Sequence, residues 1–214
     1  AEAYNVPVQS HLSENHGEIE WVAALHPEAA NYTDVYYEHH LMGKVPTVMA
    51  HCIHLSDVEM DRMAETQTMV SHCPYSNVNL SSGIAPIRKL FERKIPIGLG
   101  SDISGGHIVS MAKVLTEAIG LSKMKWVEVD QTYAPLTLSE AFYMATKGGG
   151  KFFGKVGSFE KGCELDALVI DDTTLFDPNE RSLEERLERW LYVGDDRHIV
   201  ERYVAGKVAP EPTN

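Results

Sequence analysis

Ile95-Pro96-Ile97-Gly98-Leu99-Gly100-Ser101-Asp102, followed by Ile103-Ser104-Gly105-Gly106-His107, decides the reading of this chain. An apolar run of strand length stops at Gly-Ser-Asp and glycines follow, which sets the Asp102 carboxylate where a buried strand opens into a loop. In parallel α/β sheets and barrels chemistry collects at the carboxyl ends of strands, because the loops there vary without disturbing the packed core. Two earlier apolar runs end in the same way, each on a histidine. They are Val6-Pro7-Val8-Gln9-Ser10-His11 and Pro46-Thr47-Val48-Met49-Ala50-His51. Three strand ends thus offer two imidazoles and a carboxylate.

The remaining sequence supports a repeated strand-helix alternation. Strands are expected at Asn5–Ser10, up to His51, over Thr68–Ser71 and up to Asp102. Helices are expected over Gly17–Leu25, Tyr32–Met42, from the capping box Ser56-Asp57-Val58-Glu59 to about Glu65, and from Ala85-Pro86 to Arg93. His39 and His40 fall inside the second of these as surface residues, and the stretch from His72 through Gly83 reads as a long loop. Four alternations imply a parallel sheet or barrel. Further helices are predicted over Val109–Met124 and from Leu136 to Thr146, the latter stopped by Gly148-Gly149-Gly150. The texture then changes. Short apolar runs at Ala167–Ile170 and His198–Val204 with Val208, separated by an amphipathic helix over Ser182–Trp190, predict a small β-rich segment and a loose tail. The expected division is 1–150, a barrel half, and 151–214, the β-rich segment.

Composition bounds the function. The 214 residues carry a formal net charge of -12, with 43% hydrophobic and 23% charged residues. Such a chain is long enough for one sizeable core. Its acidic balance argues against nucleic acid or an anionic membrane as partner. No apolar run reaches membrane-spanning length, and Ala1-Glu2-Ala3-Tyr4 does not resemble a secretory signal. Three cysteines without CxxC spacing argue for a reducing, cytoplasmic setting and against a disulfide framework or a cysteine-based zinc site.

Among the histidines and carboxylates, His11-Leu12-Ser13-Glu14 combines an imidazole at a strand end with a carboxyl group three residues on. Zinc takes neutral imidazole and carboxylate ligands and keeps a position open, so that water there ionises near neutral pH. A neighbouring glutamate suits the proton movement that follows. Taken alone, His11 reads as readily as a hydrogen-bonded strand-end residue and Glu14 as a helix-entry charge. His51 is preferred over His54 because it ends the apolar run. His72 is read as structural, beside the loop residues Pro74, Ser76 and Asn77, and His107 as a weak ligand candidate. His11 and Asp102 supply two metal ligands where a catalytic zinc needs three, so either His51 completes the set or the others lie on a segment absent here.

These residues carry a resemblance. His11-Leu12-Ser13-Glu14, Ala50-His51, Ser71-His72-Cys73-Pro74-Tyr75-Ser76-Asn77 with Leu80-Ser81-Ser82-Gly83, and Gly98-Leu99-Gly100-Ser101-Asp102 resemble the amidohydrolase superfamily. The Asp-x-x-Gly-Gly run and Leu191-Tyr192-Val193-Gly194-Asp195-Asp196-Arg197 are most similar to its guanine deaminases. The resemblance implies the carboxyl-terminal half of a TIM-like (β/α)8 barrel plus a small β segment. It also implies one zinc per complete site, bound by His11 and Asp102, and a purine substrate contacted by His11, His51 and Asp102. By the same resemblance Glu14 shuttles a proton, His51 stands near the attacking oxygen, and Asp102 is the general base. The implied reaction is hydrolysis of guanine to xanthine and ammonia. The family's first four strands and its His-x-His pair are missing, so activity is expected only with the amino-terminal half as partner, and homodimers are common in the family. Two alternatives stay open: another amidohydrolase, acting on a different aminated heterocycle or as a chlorohydrolase, and a non-catalytic half-barrel that binds a partner.

Overall fold

The structure is a computed structural model that describes residues 1–210. Strands β1 (Val8–Leu12), β2 (Thr47–His51), β3 (Met69–His72) and β4 (Ile97–Leu99) form one parallel sheet in chain order. Its register pairs Val8 with Thr47, Val48 with Met69 and Val70 with Ile97. Order without reversal is that of a barrel wall, whereas a doubly wound sheet reverses at its switch point. Side chains alternate faces along each strand. Met49, Val70 and Ile97 turn to one face and are at most 1% exposed. On the other face Gln9, His11, Val48, Ala50, Met69 and Ser71 line an open trough of about 550 Å³. Parallel sheets are ordinarily covered on both faces; here helices cover one.

The helical layer forms where the sequence supplies caps and apolar stripes. Asn15 caps α1 (His16–Leu25), Asn31 caps α2 (Tyr32–Glu38), and Ser56 with Glu59 closes a capping box on α3 (Asp57–Thr66). The Glu59 carboxylate, itself buried, also accepts from the Thr33 hydroxyl at 3.2 Å and so ties α2 to α3. Beyond α4 (Pro74–Asn79) and α5 (Ile87–Glu92), α6 (Met111–Glu128) buries Val114, Leu115, Ala118 and Ile119, one stripe at helical spacing. Trp190 and Leu191 of α8 (Leu183–Val193) enter the same core as Leu12, Met49, Val70 and Leu90. The expected small sheet is present, with β5 (Ala167–Ile170), β6 (Ile199–Val204) and β7 (Lys207–Val208) antiparallel. The expected loose tail lies, from residue 211, outside the described residues. No described helix is long and apolar enough to cross a membrane.

Three local expectations are corrected. Helix α2 ends at Glu38, so His39 is its C-cap and His40 takes a left-handed backbone, φ 57°; both are exposed but neither is helical. The expected loop after β3 instead begins with α4, because Pro74 at the first turn has no amide to leave unbonded. The Gly148-Gly149-Gly150 run does not stop its helix. α7 (Leu138–Tyr143) continues through one π-helical turn, Met144–Gly148, and on to residue 150. These glycines bring the helix backbone against β4. A Cβ on Gly98 would lie 2.9 Å from Gly149 Cα, and one on Gly148 would lie 2.7 Å from the Ile97 carbonyl oxygen. β2 ends at His51 as expected, whereas the bounds of β1, β3 and β4 shift by one to three residues, so that His11 lies within β1 and β4 ends three residues before Asp102.

A bidentate pair holds α5 to α7. The Arg88 guanidinium donates to both Glu140 oxygens at 2.6 and 2.9 Å and to the carbonyls of Ala134 and Pro135. This guanidinium, more than any other neighbour, lowers the Glu140 carboxyl from 4.5 to about 2. A depressed carboxylate stabilises the fold above its unfolded value and loses that contribution as pH falls to its folded value. The denaturation midpoint of the wild type should therefore exceed that of Glu140→Gln near neutral pH, with the gap closing between pH 4.5 and about 2.

Candidate active site

Four of the residues singled out by the sequence meet at the carboxyl rim of the sheet. The His11 and His51 rings stack with centroids 5.2 Å apart. His51 Nε2 lies 3.6 Å from a Glu14 carboxylate oxygen and 3.9 Å from Asp102 Oδ2. Both distances exceed a hydrogen bond, so the three groups surround a shared space rather than close on one another. Strand alternation would aim His51 at the helical layer, since Ala50 faces the trough. Left-handed backbone at His51 (φ 69°) and Cys52 (φ 51°) breaks that alternation. Ser13, Asp102 and Ser104 also have positive φ, at 49°, 45° and 92°. Strain of this kind gathers at sites whose surroundings over-determine the geometry.

Each group is held from behind. The buried His51 Nδ1 faces Asn77 Oδ1 at 2.9 Å, and the Ser82 hydroxyl donates to the other Glu14 oxygen at 2.9 Å. The Tyr36 hydroxyl donates to the His11 carbonyl at 3.1 Å. Asp102 sits at the mouth of a tight turn closed by the Gly106 amide on its carbonyl. Gly105 packs so closely that a Cβ there would lie 2.7 Å from Asp102 Oδ2 and 2.6 Å from Ser76 Oγ.

The other candidates stand apart. His54 packs tilted against His16 with centroids 4.1 Å apart and bonds the Ser82 carbonyl, and it is His51 that faces Asp102. His107 packs edge-on against Tyr75. His72 is 1% exposed on the helix side, and burial, with repulsion from His51, lowers its imidazole to about 3; it stays neutral. Burial raises the Cys73 thiol to about 11 and the Cys52 thiol well above its usual value. Both remain protonated at neutral pH and offer no thiolate to a metal or a substrate. Sequence reasoning assigned Asn77 to loop architecture and gave Ser82 no role, yet these are the side chains that bond His51 and Glu14. The only signal was their place in the quoted Ser71–Asn77 and Leu80–Gly83 runs.

The donors fit a metal of zinc's preference. Imidazole and carboxylate are its usual nitrogen and oxygen ligands. Ser76 Oγ and Asn77 Nδ2, buried beside the site, have no partner among the described residues. No three His, Cys, Asp or Glu among the described residues are grouped as a complete metal site.

A sequentially wound parallel arc with imidazoles and carboxylates gathered at its carboxyl rim is the architecture of barrel enzymes. The chain belongs to the amidohydrolase family, which it matches over residues 1–209. It is 42% identical to the guanine deaminase of Dictyostelium discoideum over 206 residues, 93% of this chain and 45% of that one. The Escherichia coli guanine deaminase is 38% identical over 212 residues, 95% of this chain and 46% of that one. A guanine deaminase from C. acetobutylicum, solved with guanine bound in its active site, superposes with a TM-score of 0.93 at 52% identity, covering 96% of this chain and 49% of that one. The chain spans about half the length of the curated relatives it matches.

Replacing Gly105 by alanine should push the Asp102 carboxylate away from His51 beyond its present 3.9 Å. A crystal structure of Gly105→Ala checks this, and an unmoved Asp102 would contradict it.

Proposed function

We propose that this chain, completed by the barrel half that its relatives carry in addition, hydrolyses guanine to xanthine and ammonia. The observation that carries the reading is the convergence of His11, Glu14, His51 and Asp102 on one space at the rim, in a chain similar to guanine deaminases along nearly its whole length. His11 and Asp102 would hold zinc, with further ligands from the half of the barrel that would also cover the open trough. That half is the partner this reading requires. Residues 1–150 are then barrel wall, and 151–214 belong to a small composite domain that lends α8 to the barrel core. The unpaired cysteines suit a reducing cytoplasm.

A metal held there would supply the Lewis acidity that makes water a nucleophile near neutral pH. The side chains of this chain do the rest. Asp102 accepts a proton from the attacking water, whose oxygen bonds to the amine-bearing ring carbon. His51, its Nε2 facing the space between Glu14 and Asp102, orients that water by accepting a hydrogen bond from it. Glu14, held by the Ser82 hydroxyl, delivers a proton to the adjacent ring nitrogen; Asp102 passes the proton it took from water to the amine, the carbon-nitrogen bond breaks with release of ammonia, and the proton left on the new oxygen returns to Glu14 as the carbonyl forms. Each transfer passes between groups already in place.

The assembled enzyme should consume guanine and leave adenine and cytosine untouched in a spectrophotometric panel. Preference for another base would overturn the assignment. Glu14→Gln should lower kcat by roughly a hundred- to ten-thousand-fold, the range of general acid-base catalysis, with zinc content unchanged. Loss of zinc from that variant would make Glu14 a ligand rather than a shuttle.

A further inference from the structure

We infer that one short segment, α4 and the turn after it, positions both proton-handling groups of the site: Asn77 sets the tautomer of His51 and Ser82 sets the rotamer of Glu14. The inference rests on the functional reading above and adds the residues that make its geometry reproducible. Asn77 and His51 are both buried, so their hydrogen bond does not compete with bulk water, whereas the Ser82–Glu14 bond is part-buried.

Asn77 Oδ1 accepts only. With that oxygen 2.9 Å from His51 Nδ1, the neutral imidazole carries its proton on Nδ1 and presents the Nε2 lone pair to the space between Glu14 and Asp102. The attacking water can then donate to Nε2 while Asp102 takes its other proton. An imidazole with the opposite tautomer would present N–H to that space and compete for the Asp102 carboxylate.

Ser82 acts on the opposite side. Its hydroxyl engages one Glu14 oxygen at 2.9 Å, leaving the other turned to His51. Glutamate has three rotatable bonds, and a carboxylate that must carry a proton between two fixed atoms loses effective concentration with every unproductive rotamer. The two supports are mechanically linked. The Asn77 carbonyl accepts the Ser82 amide at 2.8 Å, and Asn79 of the same helix donates to the Gly105 carbonyl at 2.7 Å, within the turn that brackets Asp102. Gly83, at φ 128°, lets the chain leave this segment in a conformation other residues rarely adopt. Thus α4, too short to be stable alone, is fixed by the groups it orients.

The test uses the complete, zinc-loaded polypeptide with 15N-labelled histidine, the His51 signal being assigned by its absence in His51→Gln. Wild type and Asn77→Asp, which keeps the acceptor, should show the proton on Nδ1, and Asn77→Ala should lose that preference. A wild-type proton on Nε2 overturns the inference, and this result needs no variant to fold. In guanine turnover Ser82→Ala should lose roughly ten- to a hundred-fold in kcat, as removal of an outer-sphere partner typically does, with KM and melting temperature little changed. Wild-type kcat in Ser82→Ala, or a loss that only follows the melting temperature, overturns the Ser82 assignment. The tautomer is read without substrate. A protein with the Nδ1 proton but no action on guanine therefore sinks the deaminase reading alone, whereas an active enzyme protonated on Nε2 sinks this inference alone.

Discussion

The one-sided burial of a parallel sheet governs this molecule. Met49, Val70 and Ile97 drive the helices onto one face, and that burial is the principal source of its stability. The other face, from Gln9 to Ser71, is left as a trough. Every polar group that matters lies where the strands end at the rim of that trough. There a side chain can be sheltered by the helical layer beneath it and still reach a ligand. His51 shows both conditions: its ring is 1% exposed, yet its Nε2 faces the common space.

Rim geometry is then fixed by backbone choices that cost energy. Left-handed conformations at Ser13, His51, Cys52, Asp102 and Ser104 each disfavour an ordinary side chain. They are sustained because the neighbouring amides and carbonyls are bonded: Cys52 N to the Leu12 carbonyl, Ile53 N to the Ser13 carbonyl, Gly106 N to the Asp102 carbonyl. The strained residues of β1 and β2 therefore brace one another. Removing a single member would release more than its own contact, because the polar groups it satisfies are buried.

Much of the wall was legible from local pattern. Apolar runs ending in His11, His51 and Asp102 announced the strands and the gathering of these side chains at one rim, and Ser56-x-x-Glu59 announced α3, because these signals act within a few residues. What escaped reading depended on contacts remote in sequence. The Gly148–Gly150 run carries the same local signature as a helix stop, and only the approach of β4 gives it a packing role. α4 has polar Ser76 and Asn77 where an apolar stripe would be sought, since its buried face meets His51 rather than the core. The preference for His51 over His54 agreed with the structure, but the backbone turn that swings His51 over the rim has no mark in a single sequence.

Pairing in chain order has a consequence for how the molecule is made. Each of β2, β3 and β4 finds its partner in the strand immediately before it in the chain, so each closure spans only the helical segment between them, and the entropy lost grows slowly with such lengths. The wall with its helical coat can grow one strand at a time as the nascent chain emerges, each addition templated by a finished edge. Only Trp190 and Leu191 of α8, far along the chain, must reach back to join that core.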